Sequence, residues 1–490
     1  MKKKTGLIVT AVFFSVLLIA VLVAYSKIHV YGALCETPPE CGKSGSTYHI
    51  CRLCGKVEYL EALPALSHEF GETVRNIRYE TAHAVCARCG EIENREYIPP
   101  ETIPRLYIEG TPGGTLIPVV FRYVDGAEEQ SGFAQVSVNG SIDRVGEKPD
   151  YNLSLYTDNT YSEAASLNFG TVIGETSALT LHADYLDASG GAVNLAVAAL
   201  WENTVKTRKN IDRHLETLPH LGADAGKPIL LYTNGNFKGI YTLSLPDNGE
   251  MFGLHGDNGD GLLYTYTLFG KAPYSVTADG VSVPVTVKHP SNGDEAKKYT
   301  DSFQRMLNFA ETASESDFAD RIERYLDTDA VMDYMIYLYV TDAQGHELLK
   351  CNYVTYDGQK WIPSPYAVEN AFQFNENSRD DATLLPSGTG DEARSGLSFT
   401  LFDRILRHYG DRIFARYHEL RSTVLSNESM AETFAACRAA LTEEILNAEF
   451  EEYPNRARNQ APATLDAAWF SSELSALDAY FGFDSNASAA

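Results

Sequence analysis

Tyr339-Val340-Thr341-Asp342 is followed, after nine residues, by Asn352-Tyr353-Val354-Thr355-Tyr356, and this stretch decides how the chain reads. Val331, Met332, Met335, Ile336 and Leu338 recur at helical spacing, so a helix capped by Asp329 runs up to Asp342. A loop then carries the chain to Asn352. Residues 350–362 read as strand, and Trp361-Ile362-Pro363-Ser364-Pro365-Tyr366-Ala367-Val368-Glu369-Asn370-Ala371-Phe372 completes a hairpin that delivers Glu369. One helix end is thus followed by an Asp, an Asn and a Glu in that order. On spacing alone, Asp342 reads as a helix C-terminal or loop residue.

Before this stretch, Arg105–Ile108, Pro118–Tyr123, Phe133–Val138 and Tyr151–Tyr156 are short apolar runs separated by turn residues, which predicts hairpin-connected strands. Lys227–Asn234 and Lys238–Leu245 flank Asn234-Gly235-Asn236, a hairpin signal. Leu195–Trp201 and the residues after it read helical. From Ala296 the period is helical again, with Phe303, Met306, Leu307 and Ala310 on one side. Residues 376–396 are polar and rich in Gly, Ser and Asp, as a loop or lid would be. Helices are expected at about 398–409, 411–425, 428–448 and 463–482. The fold class is therefore α+β, sheet-rich first and helical second. Walker A, His-Glu-x-x-His and Gly-x-Ser-x-Gly are all absent from the sequence. Asp257-Asn258-Gly259-Asp260-Gly261 lacks the spacing and terminal Glu of a calcium loop and reads as a tight turn.

The order of Asp342, Asn352 and Glu369 is that of protein kinases, where an Asp orients the acceptor hydroxyl and an Asn and a carboxylate hold magnesium. The region from about Pro104 to Ser475 resembles the CotH-like family, the spore-coat protein H kinases, which have an atypical protein-kinase fold. Tyr232-Thr233-Asn234-Gly235-Asn236-Phe237-Lys238-Gly239-Ile240-Tyr241 is similar to that family's Asn-Gly-x-Tyr-x-Gly-x-Tyr hairpin, and Asn352-Tyr353-Val354-Thr355-Tyr356 to its Asn-Tyr-x-x-Tyr. Leu401–Leu420 resembles its helical tail. Glu147-Lys148-Pro149-Asp150-Tyr151-Asn152-Leu153 resembles the segment holding its phosphate-contacting lysine. The resemblance implies ATP and magnesium as cofactors. It implies Asp342 as catalytic residue, Lys148 on the phosphates, and Asn352 and Glu369 on the metal. A surface or spore-coat protein would be the acceptor.

The departures are specific. The family has Trp-Asp-x-Asp where this chain has Tyr366-Ala367-Val368-Glu369. It has Asp-x-Ser-x-x-Arg-Asn where this chain has Asp187-Ala188-Ser189-Gly190-Gly191-Ala192-Val193-Asn194. One metal carboxylate and one Arg are gone, and both stabilise charge in phosphoryl transfer. Two readings follow: a weak atypical kinase, or a pseudokinase that serves as a surface binding or scaffolding module.

The N-terminal part carries separate signals. Lys2, Lys3 and Lys4 precede an uncharged, apolar run over 7–25, about 28 Å as a helix. That pattern predicts a single-pass signal anchor over residues 1–26, with the bulk of the chain outside the cell membrane. A cleaved signal peptide is the alternative. Cys51-x-x-Cys54-Gly55 and Cys86-x-x-Cys89-Gly90 repeat with a 35-residue offset inside a module over 27–97. Such knuckles point two sulfurs at one ion, so one zinc held by Cys51, Cys54, Cys86 and Cys89 is expected, with His49 and His83 as substitutes. Disulfides are the alternative outside the cell. The stretch also resembles short Cys-x-x-Cys-Gly modules of bacterial surface proteins. Pro-rich residues 98–104 form a linker to a domain over 105–490. The 490 residues carry 66 acidic and 40 basic side chains, a net charge of −26. This field disfavours nucleic acid and suits cationic partners.

Overall fold

The computed structural model describes residues 2–113, 115–139, 148–185, 187, 189–254, 259–265, 273–290, 293–343, 351–366, 368, 371–373, 384–397, 399–454 and 465–484. They form two compact units, Met1–Pro99 and Pro100–Ala490.

The first unit opens with helix Lys2–Lys27, in which every described side chain from Ile8 to Val23 is exposed. Among the described residues no helix is long and apolar enough to cross a membrane. The membrane span expected over 7–25 is therefore not supported among the described residues. Two small antiparallel sheets follow. The first is β1 (Tyr31–Thr37), β2 (Gly45–Cys51) and β3 (Val57–Leu63); the second is β4 (Val74–Asn76), β5 (Thr81–Val85) and β6 (Ile92–Arg95). β2 and β5 are the central strands, and each runs directly into one of the two cysteine knuckles.

The second unit begins with the expected hairpin-connected strands, closed into a barrel. β7 (Arg105–Glu109), β8 (Ile117–Asp125), β9 (Glu128–Asn139) and β10 (Asp150–Tyr156) form a meander. A short ladder of β11 (Leu167–Asn168) and β12 (Glu175–Thr176) precedes β13 (Ala178–His182). β13 pairs with β10 and with β15 (Asn236–Ser244), and β15 with β14 (Gly226–Thr233). β14 then lies parallel to β7 and closes the ring. Burial alternates along β7 and β10, as one inward face requires. Leu106, Ile108, Phe121, Val136, Leu153, Leu181, Leu231 and Leu243 fill the interior. At the β14–β15 turn Asn234 and Gly235 have φ of 50° and 73°, the two positive values of a type I′ hairpin.

The remainder is a five-stranded antiparallel sheet with helices. Its order is β17 (Tyr274–Ala278), β18 (Val281–His289), β16 (Gly261–Thr265), β19 (Cys351–Thr355) and β20 (Ile362–Pro365). Helices Gly293–Thr312 and Thr328–Thr341 pack with it around Phe303, Met306, Leu307, Met335, Ile336 and Trp361. The cap of the second helix is Asp327, whose side chain accepts from the Ala330 N–H at 3.0 Å. Asp329, the expected cap, instead pairs with Arg412 at 2.5 Å. The helical tail contains Thr400–Arg421, with Tyr409 out of helical geometry, then Asn427–Arg438 and Glu443–Glu452. One helix was expected over 428–448. Thr442 divides it, because its hydroxyl accepts from Ile445 N–H and starts a new helix. Asp257 and Asn258 of the expected tight turn lie outside the described residues.

His220 is 3% exposed, and its Nδ1 has no hydrogen-bond partner among the described residues. Burial lowers its pKa to about 4. The unfolded chain then takes up a proton near pH 6.5 that the folded state refuses until about 4. Stability should therefore fall by about 3 kcal/mol as pH drops through that window. Denaturant titrations of wild type and His220→Leu across pH 7 to 4 should differ in slope by that amount.

Candidate functional site

Lys148 stands at the foot of β10, 0% exposed. Its Nζ donates to Glu449 Oε1 at 2.8 Å, to Ala183 O at 2.9 Å and to Ile240 O. An ammonium has three N–H donors, so each has a protein acceptor. Glu449 comes from helix Glu443–Glu452; its side chain is also 0% exposed, and its second oxygen accepts from Ile240 N–H at 2.7 Å. The approach depends on Gly239, at φ 97°, since a Cβ there would strike Glu449 Oε2. Tyr241 and Tyr453 flank the ammonium, with ring centroids 4.5 and 5.4 Å away. The hairpin of the family resemblance is thus folded around a buried ion pair.

The surroundings of this pair are polar. Asp150 accepts from Ala183 N–H at 2.6 Å and lies 4.0 Å from His182 Nδ1. Burial raises the Asp150 pKa, although His182 works against it. Asp184 accepts from Thr242 Oγ1 at 2.6 Å and from Asn194 Nδ2 at 3.1 Å. Asp187 accepts from Ser189 N–H and Val193 N–H, which holds the start of helix Ala192–Lys206. The segment that lacks the family Arg therefore serves here as a helix cap.

Asp342 follows helix Thr328–Thr341 in the left-handed region, φ 44° and ψ 42°, with Ala343 N–H reaching back to Leu338 O at 3.1 Å. Its Oδ1 accepts from Leu384 N–H at 3.1 Å. Burial raises the pKa of Glu473, and the Asp342 charge adds to the effect. Asn352 is 0% exposed on β19, and its Nδ2 donates to Asp247 Oδ1 at 2.9 Å. The other Asp247 oxygen is 3.4 Å from Lys288 Nζ. Asn352 Oδ1 is buried without a hydrogen-bond partner among the described residues. Glu369 and Ala367 lie outside the described residues.

A cleft of about 430 Å³ lies beside Asp247 and Lys288. Asn152, Ser154 and Thr180 line it from the barrel; Asp247, Lys288 and Tyr366 line it opposite. Tyr366 also stacks edge-on with His182 at 5.9 Å between ring centroids. The Lys148 head lies at Ala183, three residues along from Thr180, or roughly 10 Å at strand rise. Lys148 is bonded to Glu449, Asn352 to Asp247 and Asp342 to Leu384. Asn352 has gained Asp247 and Lys148 has gained Glu449; sequence reasoning found neither. Pro246-Asp247-Asn248 reads as an ordinary turn, and Glu449 is one of several acids in its helix.

The fit to the implied cofactors is uneven. A buried amide oxygen without a partner, beside a carboxylate, suits a hard divalent cation, so Asn352 and Asp247 would hold magnesium. Lys148 does not fit a phosphate in this arrangement, because all its donors are used inside the fold.

In the first unit the two knuckles fall in different groups. Cys41, His68, Cys86 and Cys89 form one, and His29, Cys51 and Cys54 the other, with donor atoms within 4.8 Å of one another in each. The single four-sulfur site expected from Cys51, Cys54, Cys86 and Cys89 is not what the fold assembles, because each knuckle ends a different sheet. His29 and His68 stand where His49 and His83 were expected. Burial disfavours the Cys51 thiolate. The Cys54 and Leu53 amides and the His29 ring outweigh it and lower its pKa to about 6.

The family model described as CotH kinase protein matches residues 136–477, well over half of the chain. A search of curated proteins found no match. The matched span covers β10, the Gly239 hairpin, Asp342, Asn352 and the helix bearing Glu449, and so the chain belongs to the CotH kinase family.

Proposed function

We propose that this protein is a pseudokinase of the CotH family, a surface binding or scaffolding module whose phosphate lysine has become a structural one. The observation that carries this reading is the closure of Lys148 on Glu449, Ala183 and Ile240 at 0% exposure. Phosphoryl transfer needs cationic groups on the phosphates. The missing Arg and the Ala367 position support the same reading. The lysine-flanked apolar run supports attachment to the cell membrane with the bulk of the chain outside, where ATP is scarce. The net charge of −26 supports a cationic surface or coat protein as partner.

One observation favours a second reading, a weak kinase. Asp342 holds a left-handed conformation that costs a non-glycine residue on the order of 1 kcal/mol, and such strain clusters at functional sites. Glycine relieves the strain and removes the carboxylate. The lost acceptor of Leu384 N–H opposes that gain, so Asp342→Gly should change stability by no more than about 2 kcal/mol. The decisive assay is γ-phosphate transfer from labelled ATP to a mixture of basic proteins, with magnesium, by the full chain. A pseudokinase gives no transfer in wild type. Transfer that disappears in Asp342→Gly, with stability changed by no more than that, overturns the proposal. Magnesium binding by calorimetry, lost in Asn352→Ala, is expected under either reading.

A further inference from the structure

We propose that residues 27–97 bind two zinc ions at unequal sites: a closed one at Cys41, His68, Cys86 and Cys89, and an open one at His29, Cys51 and Cys54. This does not rest on the kinase or pseudokinase reading.

The two knuckles are built alike. Cys51 N–H donates to Lys56 O at 2.9 Å and Gly55 N–H to Cys51 O at 2.8 Å; 35 residues on, Cys86 N–H donates to Glu91 O at 2.8 Å and Gly90 N–H to Cys86 O at 2.9 Å. Gly55 and Gly90 have φ of 72° and 76°, which lets the chain turn back under the sulfurs. Each knuckle is joined by a histidine from a preceding segment. Cys89 Sγ is 3.4 Å from His68 Nδ1, and Cys54 Sγ is 3.3 Å from His29 Nδ1.

These separations match a common ion. Zinc–sulfur and zinc–nitrogen bonds of about 2.3 and 2.0 Å in a tetrahedron place sulfurs about 3.8 Å apart and sulfur and nitrogen about 3.5 Å apart. Cys41 Sγ and Cys86 Sγ are 3.9 Å apart. The surroundings also orient the ligands. His68 Nε2 lies 3.3 Å from Glu91 Oε2, so a carboxylate fixes the ring with Nδ1 toward the sulfurs. Glu69 N–H donates to Cys86 Sγ at 3.3 Å, a bond that favours thiolate.

The sites differ in their fourth ligand. Cys41 completes the second knuckle. The first knuckle has only His29, Cys51 and Cys54 within reach among the described residues. Three protein ligands and an open fourth position are the pattern of a site that keeps water on its metal and exchanges it. The closed site would hold the module together, and the open one would be free to take a small ligand.

The test uses the full chain, purified with zinc and analysed for metal. Two equivalents are expected. A mild chelator should remove one and leave one. Cys54→Ser should lose the labile equivalent only; Cys41→Ser should weaken the retained one. Cobalt substitution covers variants that fail to fold: wild type should show sulfur-to-cobalt charge transfer from five thiolates, in two spectrally distinct fractions. A single equivalent carried by four thiolates and lost with any of Cys51, Cys54, Cys86 or Cys89 overturns the proposal. Metal-free protein with these cysteines in disulfides overturns it as well.

Discussion

Glu449→Ala should lower the unfolding free energy of the CotH unit by about 3–5 kcal/mol, the usual cost of stranding one partner of a buried ion pair. The substitution leaves the Lys148 ammonium at 0% exposure without its carboxylate, and leaves Ile240 N–H without its acceptor. Lys148→Met should cost a similar amount, since Glu449 would stay buried without its ammonium partner. Urea titration of the full chain, followed by the tryptophans Trp201 and Trp361 that lie buried in this unit, reads both. The double variant Lys148→Met with Glu449→Leu removes both charges. It should cost clearly less than the sum of the single changes, because most of each single loss is the stranded charge. There is a functional corollary. Replacing a kinase-like lysine normally tests phosphate binding. Here the same replacement would unfold the domain, so lost activity in a Lys148 variant is uninformative without a stability measurement. A loss under 1 kcal/mol in both single variants would mean the pair is solvated in solution and Lys148 is free to serve a ligand.

Much of the architecture was legible where it depends on local pattern. The helix running into Asp342, the Asn234-Gly235 turn, the strands on either side of it and the two knuckles all follow from short-range spacing and backbone preference. Barrel closure was not, because it rests on β7 lying parallel to β14, more than 100 residues away, and no local pattern encodes that pairing. β16, β17 and β18 escaped notice although Val281, Val283, Val285 and Val287 alternate along β18 as a strand requires. Asp327 and Asp329 are both plausible caps by residue type; the structure selects by phase, and Asp329 falls inside the helix, facing Arg412. The site was legible only in residue type. Lys148, Asp342 and Asn352 stood out through the family resemblance, whereas their partners Glu449, Leu384 and Asp247 are brought in by tertiary contacts 301, 42 and 105 residues away. The grouping of the cysteines was hidden for the same reason. Two knuckles close in sequence suggest one shared ion, but each ends its own sheet, so each takes a histidine from the segment before it.

Gly239→Ala should be about as damaging as breaking the pair, and for a separable reason. Gly239 has φ 97°, where an L side chain costs on the order of 1–3 kcal/mol from backbone strain alone. The added Cβ would also meet Glu449 Oε2 inside contact distance, and would lie 3.1 Å from both Lys148 Cε and Tyr453 Cε2. None of these neighbours can retreat cheaply. The carboxylate is held by Ile240 N–H and Lys148, and Tyr453 donates its hydroxyl to Lys238 O at 3.0 Å. A total loss of roughly 3–5 kcal/mol is expected, the strain plus part of the ion-pair penalty. A double-mutant cycle separates the two contributions. Glu449→Ala removes the atom that the new methyl strikes, so adding Gly239→Ala to Glu449→Ala should cost only the backbone strain. The cycle should then be less than additive by 1 kcal/mol or more. Additive losses would show that the glycine serves only its own dihedral angle, and that the hairpin and the carboxylate are independent. A less-than-additive result makes the hairpin glycine a requirement of the buried pair. The glycine of this hairpin would then be retained by packing against Glu449, with no need for a bound nucleotide to explain it.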